Sequence, residues 1–450
     1  MNVFRSPLTS LVFLAAAAAA PAFAASATPL KFDFGAGAVA PGWTQVSADT
    51  AFSRERGYGF EPGAAITGVD RGGDPLKGDF VTSDKPFNFT ATVPAEGNYR
   101  VTFTLGDAKG ESTTTIKAEL RRLMVEKAQT AQGEFKTVSF IVNVRTPTIK
   151  PANGIQPGVV KLKAPRETTQ EAWAWDQAIT LEFNNTRPAV CAVEIEPVDV
   201  PTVFLIGDST VCDQSKEPYN SWGQMLPRFF KPEIAIANHG ESGETYRDSI
   251  GRRRLDKIIS VMKPGDVLMM QFGHNDQKQI AAKSGGPFTT YKEELKKHVE
   301  ALRAHGGQAI VLSPMERRGF DENGKVRPSL IEYATAAKQA AEELGVPFID
   351  LNTMSKPLYE ALGSERSALA FATIGGKTDN THTSNFGSYE LAKCIVDQIK
   401  KQNLPIAKYI VDDFKGFDPA HPDNPDTFPV PASGEFTNQR PLGDEANANK

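Results

Sequence analysis

The run Val203-Phe204-Leu205-Ile206-Gly207-Asp208-Ser209-Thr210 passes from four apolar residues straight into Gly-Asp-Ser. An apolar run without alternation suits a strand covered on both faces. Ser209 then falls at the carboxyl end of that strand, where open α/β sheets hold their ligands. Alone, the tripeptide is ambiguous, because Gly, Asp and Ser also end strands as plain turn formers. Four further strand signals lie downstream: Ile234–Ala237, Val267–Phe272, Ala309–Leu312 and Phe348–Leu351. Amphipathic stretches separate them, including Tyr291–His305 and Leu330–Leu344, with Gly306 and Gly345 placed as C-cap glycines. Repeated strand–helix units predict an α/β fold, a flavodoxin-like doubly wound parallel sheet of five strands.

Upstream the period changes. Phe87–Val93, Tyr99–Leu105, Lys136–Val144, Ala178–Phe183 and Val190–Ile195 alternate apolar and polar residues, with turns such as Glu96-Gly97-Asn98 between them. That pattern predicts an all-β sandwich. The sequence thus divides into a targeting segment at 1–24, a sandwich at 25–198, an α/β domain at 199–413 and a Pro-, Asp- and Asn-rich tail at 414–450. The tail has no period and is expected to lie over the surface or to be partly disordered.

Composition narrows the function classes. The 450 residues carry a formal charge of −4 and are 40% hydrophobic. Nothing here resembles the basic stripe that a nucleic-acid partner requires. Arg5, the apolar run Leu11–Ala20 and the small-x-small Ala22-Phe23-Ala24 form a signal-peptide pattern, so a secreted or periplasmic protein is expected. No later stretch is long and apolar enough to span a bilayer. Three cysteines, Cys191, Cys212 and Cys394, exclude a disulfide-dense scaffold and leave open whether two of them pair.

Four blocks carry the chemistry. After Ser209 comes Asn238-His239-Gly240-Glu241-Ser242-Gly243, where a glycine can bring a backbone amide close to a ligand. Next is Gly273-His274-Asn275-Asp276, whose Asn275 can donate to a developing oxyanion. A metal reading of His274 and Asp276 lacks a matching ligand set. The last block is Asp379-Asn380-Thr381-His382. Asp379 can fold back on one nitrogen of His382 and leave the other for the serine proton. Each block has a plain alternative: an ordinary loop around Gly243, or an N-cap aspartate with an exposed histidine at Asp379. Their joint order is the specific signal. The G-x-S-x-G elbow of α/β-hydrolases is absent.

Ser209, Gly243, Asn275 and His382 together resemble the four blocks of the SGNH subset of GDSL hydrolases, with Asp379 completing the last. Gly207-Asp208-Ser209-Thr210, Trp222-Gly223, Gly273-His274-Asn275-Asp276 and Asp379-Asn380-Thr381-His382-Thr383 are most similar to rhamnogalacturonan acetylesterases of carbohydrate esterase family twelve. Phe32-Asp33-Phe34-Gly35 and Gly57-Tyr58-Gly59-Phe60-Glu61 resemble the galactose-binding-like sandwich that precedes some bacterial members. One departure is Glu244-Thr245, where some members carry Arg-Ser.

The resemblance implies a serine esterase that deacetylates a plant cell-wall polysaccharide. Ser209 is the implied nucleophile, His382 the base and Asp379 its partner. The amides of Ser209 and Gly243 and the Asn275 side chain are the implied oxyanion donors, and no metal or organic cofactor is required. Asp208 and Asp276 are expected to hold loop amides. Arg317 and Arg318 are candidates for a galacturonate carboxylate, with ordinary ion pairing as the alternative. Trp43, Tyr58, Trp173 and Trp175 are candidates for sugar stacking, with core packing as the alternative. Competing readings are an acetylxylan esterase, lipase or thioesterase with the same triad, or a noncatalytic carbohydrate-binding protein.

Overall fold

The computed structural model describes residues 28–152 and 154–441. The targeting segment at 1–24 lies outside the described residues. The first half is two facing sheets. One runs, in spatial order, Phe135–Val144, Gly97–Gly106, Val190–Pro197, Leu30–Phe34 and Thr44–Val46, and it also takes in Asp79–Thr82 and Thr67–Asp70. It is mixed, because Leu30–Phe34 and Thr44–Val46 pair parallel while the other pairs are antiparallel. The other sheet runs Tyr58–Phe60, Phe87–Thr92, Ala178–Arg187, Ser112–Ala118 and Arg122–Thr130, all antiparallel.

Alternation decides which side chains meet between the sheets. In Gly97–Gly106 the buried set is Tyr99, Val101, Phe103 and Leu105, at the two-residue period of a strand with one wet face. Phe103 meets Phe183 edge-on at 5.4 Å, and Phe34 meets Phe89 at 5.0 Å, so aromatic rings join the two sheets. Tyr58 packs on Phe32, Lys31 lies over the Trp43 ring, and Trp175 is buried. Tyr58 and Trp175 are thus engaged in packing, whereas Trp43 is half-buried under a lysine.

In the second half, strands Thr202–Gly207, Ala235–Asn238, Val267–Gln271, Gln308–Leu312 and Phe348–Ile349 form one sheet. In space they run second, first, third, fourth, fifth, and each neighbouring pair is parallel. Val203 and Leu205 enter one apolar cluster, whereas Phe204 and Ile206 enter another. Both faces of this strand are therefore buried, which accounts for its unbroken apolar run. Helices Lys292–Ala304 and Ile331–Leu344 agree with the two amphipathic stretches, and Gly345 caps the latter in the left-handed region.

The segment after 413 lies mostly exposed over the hydrolase half and is pinned there by a few apolar side chains. Phe414, Phe417 and Val430 are buried in the same cluster as Val203 and Leu205. Isolated apolar residues between prolines and acids bury without forming a regular element, so no sequence period announces them.

All three cysteines are buried and free. Among the described residues no helix is long and apolar enough to cross a membrane, and no cluster of His, Cys, Asp and Glu is arranged to hold a metal ion.

Candidate active site

Gly207 closes the strand Thr202–Gly207 where a β-carbon would lie 2.5 Å from the Gln271 carbonyl oxygen, so only glycine fits. The chain then turns on Asp208, whose Oδ1 accepts from the Thr210 amide at 2.9 Å and the Thr210 hydroxyl at 2.8 Å. The Asp208 carbonyl accepts the amides of Val211 and Cys212. Asp208 thus shapes the loop that presents Ser209. Gln214 fastens the loop from outside, donating to the Ser209 carbonyl at 2.7 Å.

His382 sits in a hairpin made by Phe371–Ile374 and Lys377–Thr383, separate from the parallel sheet. Asp379 Oδ1 accepts the backbone amides of Thr381, at 2.8 Å, and His382, at 3.0 Å. This is a side chain closing a turn on its own downstream amides. Oδ2 is left for the ring: His382 Nδ1 lies 3.1 Å from it. On the far side of the ring, Nε2 lies 2.9 Å from Ser209 Oγ. Ser384, not Asp379, caps the following helix Asn385–Lys401. The three side chains form a continuous line along which a proton can leave Ser209 and its charge can be balanced by Asp379. Burial would raise the Asp379 carboxyl, but the His382 ring and the two amides hold it below the usual carboxylate range.

Gly243 has a φ of 75°, in the left-handed region that glycine enters without cost. Its neighbour Glu244 offers a carbonyl to Asn275 Nδ2 at 3.2 Å. That bond uses one of the two amide protons of Asn275 and ties the second block to the third. Ser209, Asn275 and His382 are 2%, 3% and 1% exposed, so charge developing among them meets little water.

His274 Nδ1 lies 3.5 Å from Asp208 Oδ2 and is buried, and Asp276 Oδ1 accepts the Tyr246 amide. Burial raises the Asp276 carboxyl well above its ordinary value. These groups brace loops behind the site. The Arg318 guanidinium donates to Ser367 Oγ at 3.0 Å and to the Ser364 carbonyl at 2.6 Å. Arg317 donates to Thr381 Oγ1, next to His382. Both arginines thus meet the Asp379–His382 turn, Arg317 through its side chain and Arg318 through its backbone amide, which donates to the Asn380 carbonyl at 2.7 Å.

Several groups at the site carry no sequence signal. A cavity of about 340 Å³ opens beside the line, bordered by Lys163 and Arg166 of the first half, Gln214 and Tyr219, and Thr437 and Arg440 from the chain's last described stretch. Tyr219 stands edge-on to the His382 ring at 5.8 Å. Arg440 Nε pairs with Asp379 Oδ2 at 2.7 Å. Behind Gly243, Arg254 is wholly buried between two carboxylates: Nε meets both Glu244 oxygens at 2.9 and 2.8 Å, and the two terminal nitrogens meet Glu167 at 2.9 and 2.7 Å. Burial pushes the Glu244 carboxyl up to about 7 against the pull of Arg254 and Lys163. Cys212 is a buried filler against Ser242, and its thiol is raised far above its usual range by burial.

Residues 205–385 match the GDSL-like lipase/acylhydrolase family, and residues 30–137 match a galactose-binding domain-like family described as beta-agarase/YXIM esterase-like. The rhamnogalacturonan acetylesterase RhgT of Bacillus subtilis is 36% identical over 220 residues, which are 46% of this chain and 94% of that protein. The chain belongs to the GDSL-like lipase/acylhydrolase family. It is a carboxylic ester hydrolase with a galactose-binding-like domain ahead of its hydrolase domain. The uncharacterized esterase YxiM of Bacillus subtilis is 27% identical over 386 residues, 83% of this chain and 91% of that one. A crystal structure of the Bacillus subtilis YxiM protein, 25% identical, covers 84% of this chain and 100% of its own, with a TM-score of 0.44.

Proposed function

We propose that the protein is a secreted serine esterase that removes O-acetyl groups from pectic polysaccharide, with rhamnogalacturonan as its substrate. The observation that carries the reading is the unbroken line from Ser209 Oγ through the His382 ring to Asp379 Oδ2. The likeness to RhgT supports the choice of substrate. Ser209 attacks the acetyl carbonyl while His382 takes its proton. The tetrahedral oxyanion is met by the amides of Ser209 and Gly243 and by Asn275. His382 then returns the proton to the departing sugar oxygen, and water, activated by the same ring, cleaves the acetyl-enzyme. In this reading Arg317, whose contact with Thr381 beside His382 supports the choice, meets a uronate carboxylate. The reading includes export by the segment at 1–24 and the division at 25–198, 199–413 and 414–450. It also takes the parallel sheet, with an apolar layer on each face, as doubly wound and flavodoxin-like.

The test is acetate release from matched panels of acetylated rhamnogalacturonan, homogalacturonan and xylan. Fastest release from rhamnogalacturonan is expected. Preference for xylan would transfer the reading to an acetylxylan esterase, and absence of release from any ester would leave a carbohydrate-binding protein.

A further inference from the structure

The loop that carries Gly243 is gripped from outside its own half. Lys163 Nζ donates to the Ser242 carbonyl, the peptide that bears the Gly243 amide. Arg166 Nη2 donates to Ser242 Oγ at 2.9 Å, and Arg166 Nε pairs with Glu241 at 3.2 Å. Glu167 holds Arg254, and Arg254 holds Glu244. All three residues on the gripping side belong to one short stretch, and together they fix the residues on both sides of Gly243. The stretch is itself rigid: Glu167 accepts from Trp175 Nε1 at 3.0 Å and from the Lys163 amide at 2.8 Å. Arg166 also pairs with Glu171 at 2.6 Å.

The hydrolase half holds the same loop as well. The Glu241 amide donates to the Gly207 carbonyl, Gln214 Nε2 donates to Ser242 Oγ at 3.3 Å, Arg254 clasps the Glu244 carboxylate, and the Glu244 carbonyl accepts from Asn275. The carbonyl of the Ser242–Gly243 peptide, however, is met by Lys163. A left-handed glycine between these contacts has little intrinsic preference for one conformation. The orientation of its amide is therefore set by the anchors on either side. Preorganised donors act only when held where charge will develop, and a shift of about 1 Å can lower rate a hundredfold.

We propose that the stretch 163–171 of the sandwich half is part of the active site, with Lys163, Arg166 and Glu167 as positioning residues for the Gly243 amide. The proposal rests on Gly243 as an oxyanion donor. Its consequence is that the galactose-binding-like half completes the catalytic centre, independently of any sugar it binds. Lys163 and Arg166 also border the cavity beside the triad, so a small ester is used to read their effect on turnover apart from recognition of a polymer.

The experiment uses the full chain, 4-nitrophenyl acetate as a substrate too small to reach the sandwich, and an alkylboronic acid, whose serine adduct is a tetrahedral anion. Lys163→Met and Arg166→Gln keep the side-chain stems, and both positions are partly exposed, at 14% and 15%. Each is expected to lower kcat about tenfold to a hundredfold with KM within about twofold, and to weaken boronate binding by the same factor. Arg166→Lys should recover part of the loss. Folded variants whose kcat and boronate affinity both stay near wild type, with only the thermal midpoint lowered, would overturn the proposal and leave these residues as domain glue. If Arg166→Gln does not fold, the same measurements on Lys163→Met decide. Ser209→Ala run alongside separates the two levels: retained hydrolysis there would remove the active-site reading itself, whatever Lys163 shows.

Discussion

Arg440 Nε lies 2.7 Å from Oδ2 of Asp379, the same oxygen that His382 Nδ1 meets at 3.1 Å. The two contacts differ in consequence. Asp379 Oδ1 is fixed by two backbone amides, so in Asp379→Asn the remaining oxygen stays with those amides and the NH2 faces His382. That imposes the wrong tautomer, and turnover should fall about ten-thousandfold, as in chymotrypsin-type triads. The Arg440 side chain is 28% exposed, so its charge is screened. Arg440→Gln should change turnover by less than about tenfold. Steady-state acetate release on both variants checks the pair, and a near-normal Asp379→Asn enzyme would contradict it.

The stretch that carries Arg440 also satisfies buried charge. Lys117, 1% exposed, donates to the Pro431 carbonyl at 2.9 Å and to Ser433 Oγ at 2.7 Å. Glu217 accepts the Ser433 amide at 2.8 Å. Removing residues from 429 onward takes these partners away, together with the buried Val430 side chain, a loss of about 2–4 kcal/mol. The thermal midpoint should fall by roughly 5 °C or more. An unchanged midpoint would show that the stretch is not part of the folded unit.

Asn275→Ala tests the side-chain oxyanion donor. Its bond strengthens only as charge develops, so kcat should fall about a hundredfold to a thousandfold with KM little changed. A variant altered only in KM would remove Asn275 from that role.

A fourth expectation concerns acid. Glu96 of the sandwich accepts from Lys257 at 2.8 Å, a residue of the helix Arg254–Val261, and pairs with Lys150 at 2.8 Å. Burial raises the Glu96 carboxyl, but the two lysines outweigh it and bring it to about 2 from an ordinary 4.5. Between those values the unfolded chain binds the proton that the native one does not, so stability rises with pH across that window. The contribution, on the order of 3 kcal/mol, is full above about pH 4.5 and fades as pH falls toward 2. Glu96→Gln should lower the urea midpoint at pH 7, and the gap to wild type should narrow below about pH 4.5. A gap independent of pH would contradict the assignment.

The four blocks were legible because each combines local signals. An apolar strand running into Gly-Asp-Ser, a glycine that lets a backbone amide approach a ligand, and an aspartate three residues before a histidine all act over a few bonds. The parallel pairing of the five strands was legible for the same reason, since Val203–Ile206 lacks the alternation seen in Tyr99–Leu105. The clamp on Gly243 was not. Lys163, Arg166 and Glu167 carry no local signal, and only the fold brings them to Ser242 and Arg254, some 75 to 90 positions away in sequence. Arg440 likewise gave no sign, because its partner Asp379 lies across the structure. Phe414, Phe417 and Val430, which pin the surface tail, carry no period because they bury singly.

The most direct measurement is rapid-quench mass spectrometry of the full-length protein turning over 4-nitrophenyl acetate, for wild type and Ser209→Ala. The account predicts an acetyl group on the peptide containing Ser209 in the wild type. In the variant it predicts a folded protein with no adduct and turnover lower by about a millionfold, the loss a subtilisin serine knockout shows. A folded Ser209→Ala protein that still hydrolyses the ester at near the wild-type rate, or a wild-type adduct on another side chain, would contradict it.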